Sequence, residues 1–452
     1  MQKKTVSTLL LTLLLLGMST LAFKTQPVRA EPRTWTVDDD GLADFSSIQE
    51  AIDSPLVTDG DTIFVHSGTY YENLVVNKAV SLIGEEKETT IIDGNEMGTV
   101  VLVTVSNLFI GGFTIQRSGE PNVGIAVVWS NNNTIDGNVI INNQFGIWLN
   151  FSDNNEVRGN VVANNIWDGI FLLDSNNNTV TTNTIFGCER GIRMEGSNHN
   201  VVKRNNVTDN HTGLAIGLGY NDTVTENTFS ECLYGISLFK SGNDLIYHNN
   251  LINNQDQAST YRSYDNSWDD GYPSGGNYWS NYNGTDIDLD GIGDSRYIID
   301  ANNVDNHPLM GRFYSYCIPS DFGQGLGVTI VSNSTVSNFS VGKVVAIPII
   351  NSTSINSDGW KVTSGTRIIM FNISGETGLG FCRLCIPKAL MAPPYTVAIN
   401  RGPASPIYYN EKMFDNSTHR WIYFTYSHLT THEVWIVGQK DTTPPVITLL
   451  SP

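Results

Sequence analysis

The sequence predicts an all-β protein whose main part is a parallel β-helix with coils of about 22 residues. Six glycines recur at steps of 22 or 23 residues, namely Gly124, Gly146, Gly169, Gly191, Gly213 and Gly235. An apolar residue follows each glycine at the next position and again two positions later, which is the period-2 alternation of a strand. A second apolar pair and an asparagine recur at the same spacing later in each repeat. A short fixed period indicates one small unit stacked on copies of itself.

Each repeat therefore predicts one coil, whose strands pair with their equivalents about 4.8 Å above and below. The apolar columns would fill the bore, and the glycine would permit the bend where the chain enters a strand. A run of β-hairpins is the alternative, but hairpins predict reversed rather than repeated patterns. The recurring asparagines predict an amide ladder along the axis, formed by Asn138, Asn160, Asn183, Asn205, Asn227 and Asn249.

A solenoid needs its open ends covered, and residues 43–54 predict a helix that caps the N-terminal end. Ile48 and Ile52 fall on one face of this helix together with Phe45. Asp44 or Ser46 would cap its start.

Residues 1–30 predict a signal peptide. Lys3 and Lys4 form its basic region, Leu9 to Leu16 its apolar stretch, and Val28 to Ala30 its cleavage site. An uncleaved membrane anchor is the alternative, because the apolar stretch can also be taken to extend as far as Phe23.

The composition indicates what the chain does not bind. It has 26 Lys and Arg against 45 Asp and Glu, a net charge of −19, which disfavours nucleic acids and anionic membranes as partners. We expect membrane contact only through the signal segment or an anchor beyond the end of this chain. Glycosylation sequons such as those at Asn132 and Asn283 suit a secreted or cell-surface protein. Glycans or other surface proteins are then the expected partners.

The register of the coils also makes a prediction about two cysteines and two sequons. Cys188 and Cys232 share a column with Asn210 and lie two coils apart, about 9.6 Å. That exceeds the reach of a disulfide, about 7 Å between Cα atoms, so we expect buried, unpaired thiols. Asn206 and Asn210 both begin sequons, and the register turns Asn206 outward and buries Asn210.

The periodic pattern stops near Asn254, and this predicts the domain boundaries. The β-helix spans 31–312, with a C-terminal cap rich in Asp, Gly and Trp over 255–312. Residues 313–440 predict a separate β-sandwich, and 441–452 a linker or truncated tail. The sandwich strands are predicted at Val328–Val331, Val344–Ile347, Arg367–Phe371, Tyr395–Ile399, Trp421–Phe424 and Glu433–Val437.

An aspartate loop in the C-terminal cap predicts a Ca²⁺ site. Asp286, Asp288, Asp290 and Asp294 offer hard oxygen ligands at alternate positions, with Gly291 turning the loop. Position twelve is Tyr297 rather than Glu, which excludes a helix–loop–helix calcium hand. The alternative interpretation is an acidic, solvated turn.

The outward column between the two apolar columns of each coil predicts a carbohydrate-binding platform. Trp148, Phe171 and Arg193 would stack over three coils, and aromatic faces beside a hydrogen-bonding group suit sugar rings. The alternative is a self-stacking surface cluster, or one that the second domain covers. We find neither paired carboxylates of the glycosidase type nor histidines that share a column.

Several segments carry a family resemblance. The stretch Phe45–Ile52, the strand Gly60–Val65 and the segment Gly112–Ile115 resemble pectin-lyase-like proteins. The segment Trp268–Trp279, with the aspartate loop and His307–Met310, is similar to β-helix proteins related to NosD, the periplasmic copper-processing factor. The resemblance covers about 35–312 and implies a right-handed helix built of carbohydrate-binding and sugar-hydrolysis repeats. Residues 313–440 resemble β-sandwiches appended to surface proteins of archaea.

These observations predict an exported cell-surface β-helix protein that binds carbohydrate or serves as a scaffold. A polysaccharide-degrading lyase or glycosidase is the first alternative, and a NosD-like accessory factor for copper enzymes is the second. Copper handling needs clustered His or Met, and the eight residues of each type are scattered along the sequence.

Overall fold

The structure is a computed structural model that describes residues 31–343, 366–399, 402–403, 407–408, 415–428 and 431–439. The predicted signal peptide, the predicted tail over 441–452 and the predicted strand Val344–Ile347 lie outside the described residues. No helix in the described ranges combines the length and apolarity that a bilayer crossing requires.

The predicted right-handed parallel β-helix is confirmed, and its coils contribute strands to three parallel sheets. Sheet 1 contains Thr34–Val37, Thr62–Val65, Ser81–Gly84, Phe109–Gly111, Thr134–Asp136, Glu156–Arg158, Thr179–Thr181, Val201–Lys203, Thr223–Thr225 and Leu245–Tyr247. Sheet 2 contains Gly68–Tyr70, Thr90–Asp93, Thr114–Gln116, Val139–Ile141, Val161–Ala163, Thr184–Phe186, Asn206–Thr208, Thr228–Ser230, Asn250–Ile252 and Tyr278–Trp279. Sheet 3 contains Leu74–Val76, Val101–Val103, Val123–Val128, Phe145–Asn150, Asp168–Leu173, Arg190–Glu195, Thr212–Gly217, Tyr234–Phe239 and Asp256–Tyr261.

The apolar columns form one continuous core in the bore of the helix. Ile147 pairs with Ile170 and Ile170 with Ile192 in successive sheet 3 strands, and all three are fully buried. Because each coil places the same kind of side chain at the same point, every inward residue contacts its equivalents above and below.

The recurring glycine has a different physical reason from the one we expected. It does not adopt the left-handed backbone conformation that a tight bend would require. A Cβ on Gly146 would lie 2.4 Å from the carbonyl oxygen of Gly169, and one on Gly169 would lie 2.6 Å from that of Gly191. Only glycine lets successive coils approach this closely.

Polar ladders line all three corners of the coil, whereas we predicted one. At the corner between sheets 1 and 2, each ladder asparagine accepts a hydrogen bond from the backbone N–H of its counterpart in the preceding coil. This ladder continues to Asn277, which donates from its backbone N–H to Asp305 over 2.7 Å. At the corner between sheets 2 and 3, Cys188 and Cys232 alternate with asparagines, and both are buried and unpaired.

The third ladder runs between sheets 3 and 1 and contains two buried acids. Asn200 donates from its backbone and its amide to Asp222 Oδ1, over 2.7 and 3.2 Å. Asp222 in turn donates from its backbone to Asp244 Oδ1 over 3.0 Å. Burial raises the pKa of Asp222 to about 8, and the charge of Asp244 adds to this effect.

The N-terminal cap is shorter than predicted. The helix spans Ile48–Asp53 and buries Ile48 and Ile52, and its N-cap is Ser47 rather than Asp44 or Ser46. The helix starts late because Phe45 pairs with Val37 at the edge of sheet 1. Asp44 instead accepts from the backbone and hydroxyl of Thr36, outside the helix.

Two buried tryptophans close the other end of the bore. Trp279 donates from Nε1 to Asp305 over 2.8 Å, and Trp268 donates to Asn303 over 3.1 Å. A short antiparallel pair, Tyr297–Ile298 with Val304–Asp305, lies beside them. The indole hydrogen bonds satisfy donors that the cap buries.

After the cap, two antiparallel sheets enclose a second core and form the predicted β-sandwich. One sheet contains Arg312–Cys317, Gly327–Ser332, Gly378–Pro387, His419–His428 and Ile407–Tyr408. The other contains Thr335–Lys343, Arg367–Ser374, His432–Gln439, Ala392–Ile399 and Gly402–Pro403. A 3₁₀ turn spans Ser320–Phe322. The sandwich is joined to the β-helix by a reciprocal pair of hydrogen bonds between the Asn250 side chain and the Phe313 backbone.

Candidate functional site

The predicted platform residues occupy equivalent positions in three adjacent strands of sheet 3. Trp148 pairs with Phe171, and Phe171 pairs with Arg193. The Trp148 and Phe171 rings stack with centroids 5.5 Å apart at 23°. The Arg193 guanidinium carbon lies 4.5 Å from the Phe171 ring centroid on the next coil. The alternating pleat and the 22-residue repeat together produce this stack.

Phe171 is nevertheless only 6% exposed. Its ring is flanked along the axis by the Trp148 indole and the Arg193 guanidinium, which leaves little of it for a ligand. Trp148 and Arg193 are the members of this stack that retain partial exposure. The stack is thus partly a packing cluster, and its contact surface lies at its two ends.

Ion pairs hold the arginine end of the stack in place. Asp168 is fully buried and accepts from Arg190 Nε and, over 3.5 Å, from Arg193 Nη1. Arg193 Nη2 also donates to Glu195. Both carboxylates are engaged by guanidinium groups, so neither is placed as a free general acid or base.

A second aromatic pair, which was not predicted, lies at the edge of sheet 3. Trp129 and Phe151 immediately follow two adjacent strands, and their rings stack at 4.3 Å and 3°. They are 71% and 41% exposed. Their spacing of 22 residues, the same as that of the coils, was the signal in the sequence. We call Trp129, Trp148, Phe151, Phe171 and Arg193 together the aromatic wall.

Two polar atoms at or next to the aromatic wall have no hydrogen-bond partner among the described residues. Trp148 Nε1 and Asn150 Oδ1 are buried and make no hydrogen bond. Asn150 lies between Trp148 and Phe151 in the same coil. Because both atoms are buried, a ligand lying on the exposed rings does not reach them in this conformation.

The aspartate loop brings three of its four predicted ligands together. Carboxylate oxygens of Asp286, Asp288 and Asp290 lie within 4.8 Å of one another. Asp286 accepts from the backbone N–H groups of Asp290 and Gly291, both over 2.9 Å, which closes the loop. Burial raises the pKa of Asp286 to about 6, and the charges of Asp290 and Asp288 add to the effect.

Asp294 lies outside this group and has a different role. Its carboxylate accepts from the backbone N–H of Ile287 over 2.7 Å. A second aspartate trio, Asp38, Asp39 and Asp40, follows the first strand and was not predicted.

A cleft of about 520 Å³ lies between the β-helix, its C-terminal cap and the sandwich. The corner between sheets 1 and 2 contributes Glu226 and His248, which both have left-handed backbone conformations. The other lining residues are Tyr247, Asp270, Tyr272, Pro273, Ser274, Phe313, Thr329, Arg383, Cys385, Asn416, His419 and Trp421. Sequence reasoning did not find this cleft.

His248 is fixed in the cleft wall by packing. Its ring stacks on Phe313 at 4.1 Å and 11°, and Nε2 donates to the Ser274 carbonyl over 3.2 Å. Burial lowers the pKa of His248 to about 4, so the imidazole is neutral at physiological pH. Glu226, on the neighbouring coil, accepts from Arg204 Nε over 2.6 Å and pairs with Lys203 at 3.0 Å.

The fold and these sites define a parallel β-helix protein with an appended sandwich. The family model described as "Periplasmic copper-binding protein (NosD)" matches residues 59–284, half of the chain. The chain belongs to the NosD family.

Comparisons with individual proteins are more limited. A cell surface glycoprotein from Methanothermus fervidus is 39% identical over 71 residues, which are 16% of this chain and 12% of that relative. Pectate lyase Pel9A has a TM-score of 0.42 and 15% identity over 58% of this chain and 85% of its own. The alginate lyase from Paenibacillus sp. str. FPU-7 has a TM-score of 0.39 and 14% identity, covering 54% of this chain and 97% of its own. TM-scores this low do not indicate that this chain shares the activity of either lyase.

The residues described here do not fit the copper that the family description implies. Within the described ranges, the groups of three His, Cys, Asp or Glu side chains that could share an ion consist of aspartates alone. Carboxylates suit hard cations, whereas copper sites use imidazole, thiolate or thioether ligands. His248, Cys385 and His419 all line the cleft, but their ligand atoms do not form such a group.

Proposed function

We propose that this protein is an exported surface protein that binds carbohydrate on the aromatic wall of sheet 3. The observation that carries the proposal is the exposed Trp129–Phe151 stack beside the Trp148–Phe171–Arg193 stack. Aromatic faces supply apolar contact for the C–H surface of a sugar ring. Arg193, which is partly exposed at the end of its stack, supplies hydrogen-bond donors.

Other observations support the surface assignment. The net charge of −19 disfavours nucleic acid and anionic lipid as partners. The relative with 39% identity in its matched segment is a cell surface glycoprotein. The carboxylates of Asp168 and Glu195 are paired with arginines, which favours binding over hydrolysis on this wall. In the same proposal, Ca²⁺ at the aspartate loop has a structural role in the cap.

A glycan array with wild type and with the double variant Trp129→Ala/Trp148→Ala tests the proposal. Wild type should retain a set of glycans, and the double variant should bind them about five- to a hundredfold more weakly, since two ring contacts of about 0.5–1.5 kcal/mol each contribute about 1–3 kcal/mol together. Phe239→Ala is the matched control, because this ring is also exposed and stacked on sheet 3 but lies outside the aromatic wall. It should leave glycan binding unchanged.

Three results would contradict the proposal. The first is an array on which wild type binds no glycan, which is the outcome for a scaffold. The second is undiminished binding by the double variant at an unchanged melting temperature. The third is release of reducing or unsaturated sugar ends by wild type, which would show a degrading enzyme.

A further inference from the structure

The cleft between the β-helix and the sandwich contains a buried guanidinium that no carboxylate contacts in the described part of the chain. Arg383 is 3% exposed and forms part of the cleft wall. Its Nη2 donates to the Pro273 carbonyl, and its Nε is buried with no hydrogen-bond partner among the described residues. The charges of Asp290 and Asp286 act on it only at longer range.

An unpaired buried cation is costly, because a charge removed from water loses hydration that only a partner restores. Arg383 projects from the sandwich strand Gly378–Pro387. Its guanidinium carbon lies 5.8 Å from the centroid of the Trp421 ring on the neighbouring strand. This packing, together with the bond to Pro273, holds the cation beside the cleft. An anion in the cleft would supply the missing partner.

The rest of the lining indicates what kind of anion would fit. Tyr247, Tyr272 and Trp421 contribute aromatic groups, and Asn416 contributes an amide. Asp270 and Glu226 also line the cleft and disfavour a ligand with several negative charges. A volume of about 520 Å³ is within the usual range for small-molecule sites, about 300–1,000 Å³.

We propose that this cleft binds a singly charged, carboxylate-bearing sugar of one or two rings, with its carboxylate directed to Arg383. The ring would contact the tyrosines at the cleft mouth, where Tyr272 is 43% exposed. A guanidinium pairs with a carboxylate through charge-assisted hydrogen bonds, which are stronger than neutral ones. This site is separate from the aromatic wall, because it faces sheets 1 and 2 rather than sheet 3.

Calorimetric titration of the full chain with D-glucuronate, its methyl ester and D-glucose tests the proposal. The titrations use the Trp129→Ala/Trp148→Ala background, so that the aromatic wall contributes nothing to the signal. Glucuronate should bind at least about tenfold more tightly than the neutral ester or glucose. Equal affinities for the three sugars, or no binding of glucuronate at millimolar concentration, would overturn the proposal.

A substitution at the guanidinium then tests the location of the site. Arg383→Met should weaken glucuronate binding about tenfold or more and leave the ester unaffected. Arg367→Met is the matched control, because Arg367 is also a buried sandwich arginine over an aromatic ring but lies outside the cleft. Unchanged glucuronate binding in folded Arg383→Met would overturn the assignment. If that variant does not fold, the affinities of the unsubstituted cleft for the three sugars still decide whether the cleft binds a carboxylate-bearing sugar.

Discussion

Replacing the buried Asp222 with asparagine should stabilise the β-helix at alkaline pH. Four coils on one side of Asp222 have asparagine at its ladder position, so the amide fits the corner. Asp222 accepts from Asn200 through Oδ1, whereas its Oδ2 is buried and has no hydrogen-bond partner in the described ranges. Asp222→Asn keeps the acceptor and adds a donor that can face the Asp244 carboxylate, as Asn200 faces Asp222.

The raised pKa of Asp222 determines the sign of the effect and its upper bound. Because folding raises this pKa, the folded protein is more stable with Asp222 protonated than with Asp222 charged. The stability that the protonated form contributes is complete below about pH 4 and is lost as the pH rises towards 8. The difference between 3.8 and about 8, at about 1.4 kcal/mol per pH unit, gives an upper bound of about 6 kcal/mol. A single buried unpartnered atom costs about 1–3 kcal/mol. We expect Asp222→Asn to raise the free energy of unfolding by about 1–3 kcal/mol at pH 8 and by little at pH 5.

Denaturant unfolding of wild type and Asp222→Asn at pH 5 and pH 8, followed by the signal of the β-helix, measures this gain. Asp209→Asn is the control, because Asp209 is exposed and its substitution should change the midpoint little at either pH. The reasoning is refuted if Asp222→Asn is no more stable than wild type at pH 8. An equal gain in stability at both pH values would also refute the reasoning, since the effect would then not depend on the charge of Asp222.

Two further predictions concern the cap and the surface. Adding Ca²⁺ at neutral pH should raise the melting temperature, because a ligand of the folded state stabilises it by mass action, and Asp288→Ala should abolish that rise. Identical melting curves with Ca²⁺ and with chelator would contradict a cation site. In a host that attaches N-glycans, glycopeptide mass spectrometry should find sugar on the exposed Asn206 and none on Asn210, which donates to two backbone carbonyls and is 5% exposed. High occupancy at Asn210 would mean that this corner opens in the native protein.

The repeat made the β-helix and its bore predictable from the sequence. Each coil makes the same contacts with its neighbours, so a column of similar residues in the sequence becomes a column in space. The stacking of Trp148, Phe171 and Arg193 followed from the same register, and so did the burial of Cys188 and Cys232. The aspartate loop was predictable for a related reason, since residues two apart in a short turn remain close whatever surrounds them.

The tertiary structure alone decided how much of each group a ligand can reach. Phe171 has the outward position that its column predicts, but the residues above and below it cover its ring. The interdomain cleft was beyond prediction because it joins His248 of the β-helix to Arg383 and Trp421 of the sandwich, well over a hundred residues later. Contacts within the solenoid recur with its period and leave a pattern in the sequence, whereas the docking of a sandwich on its side occurs once and leaves none.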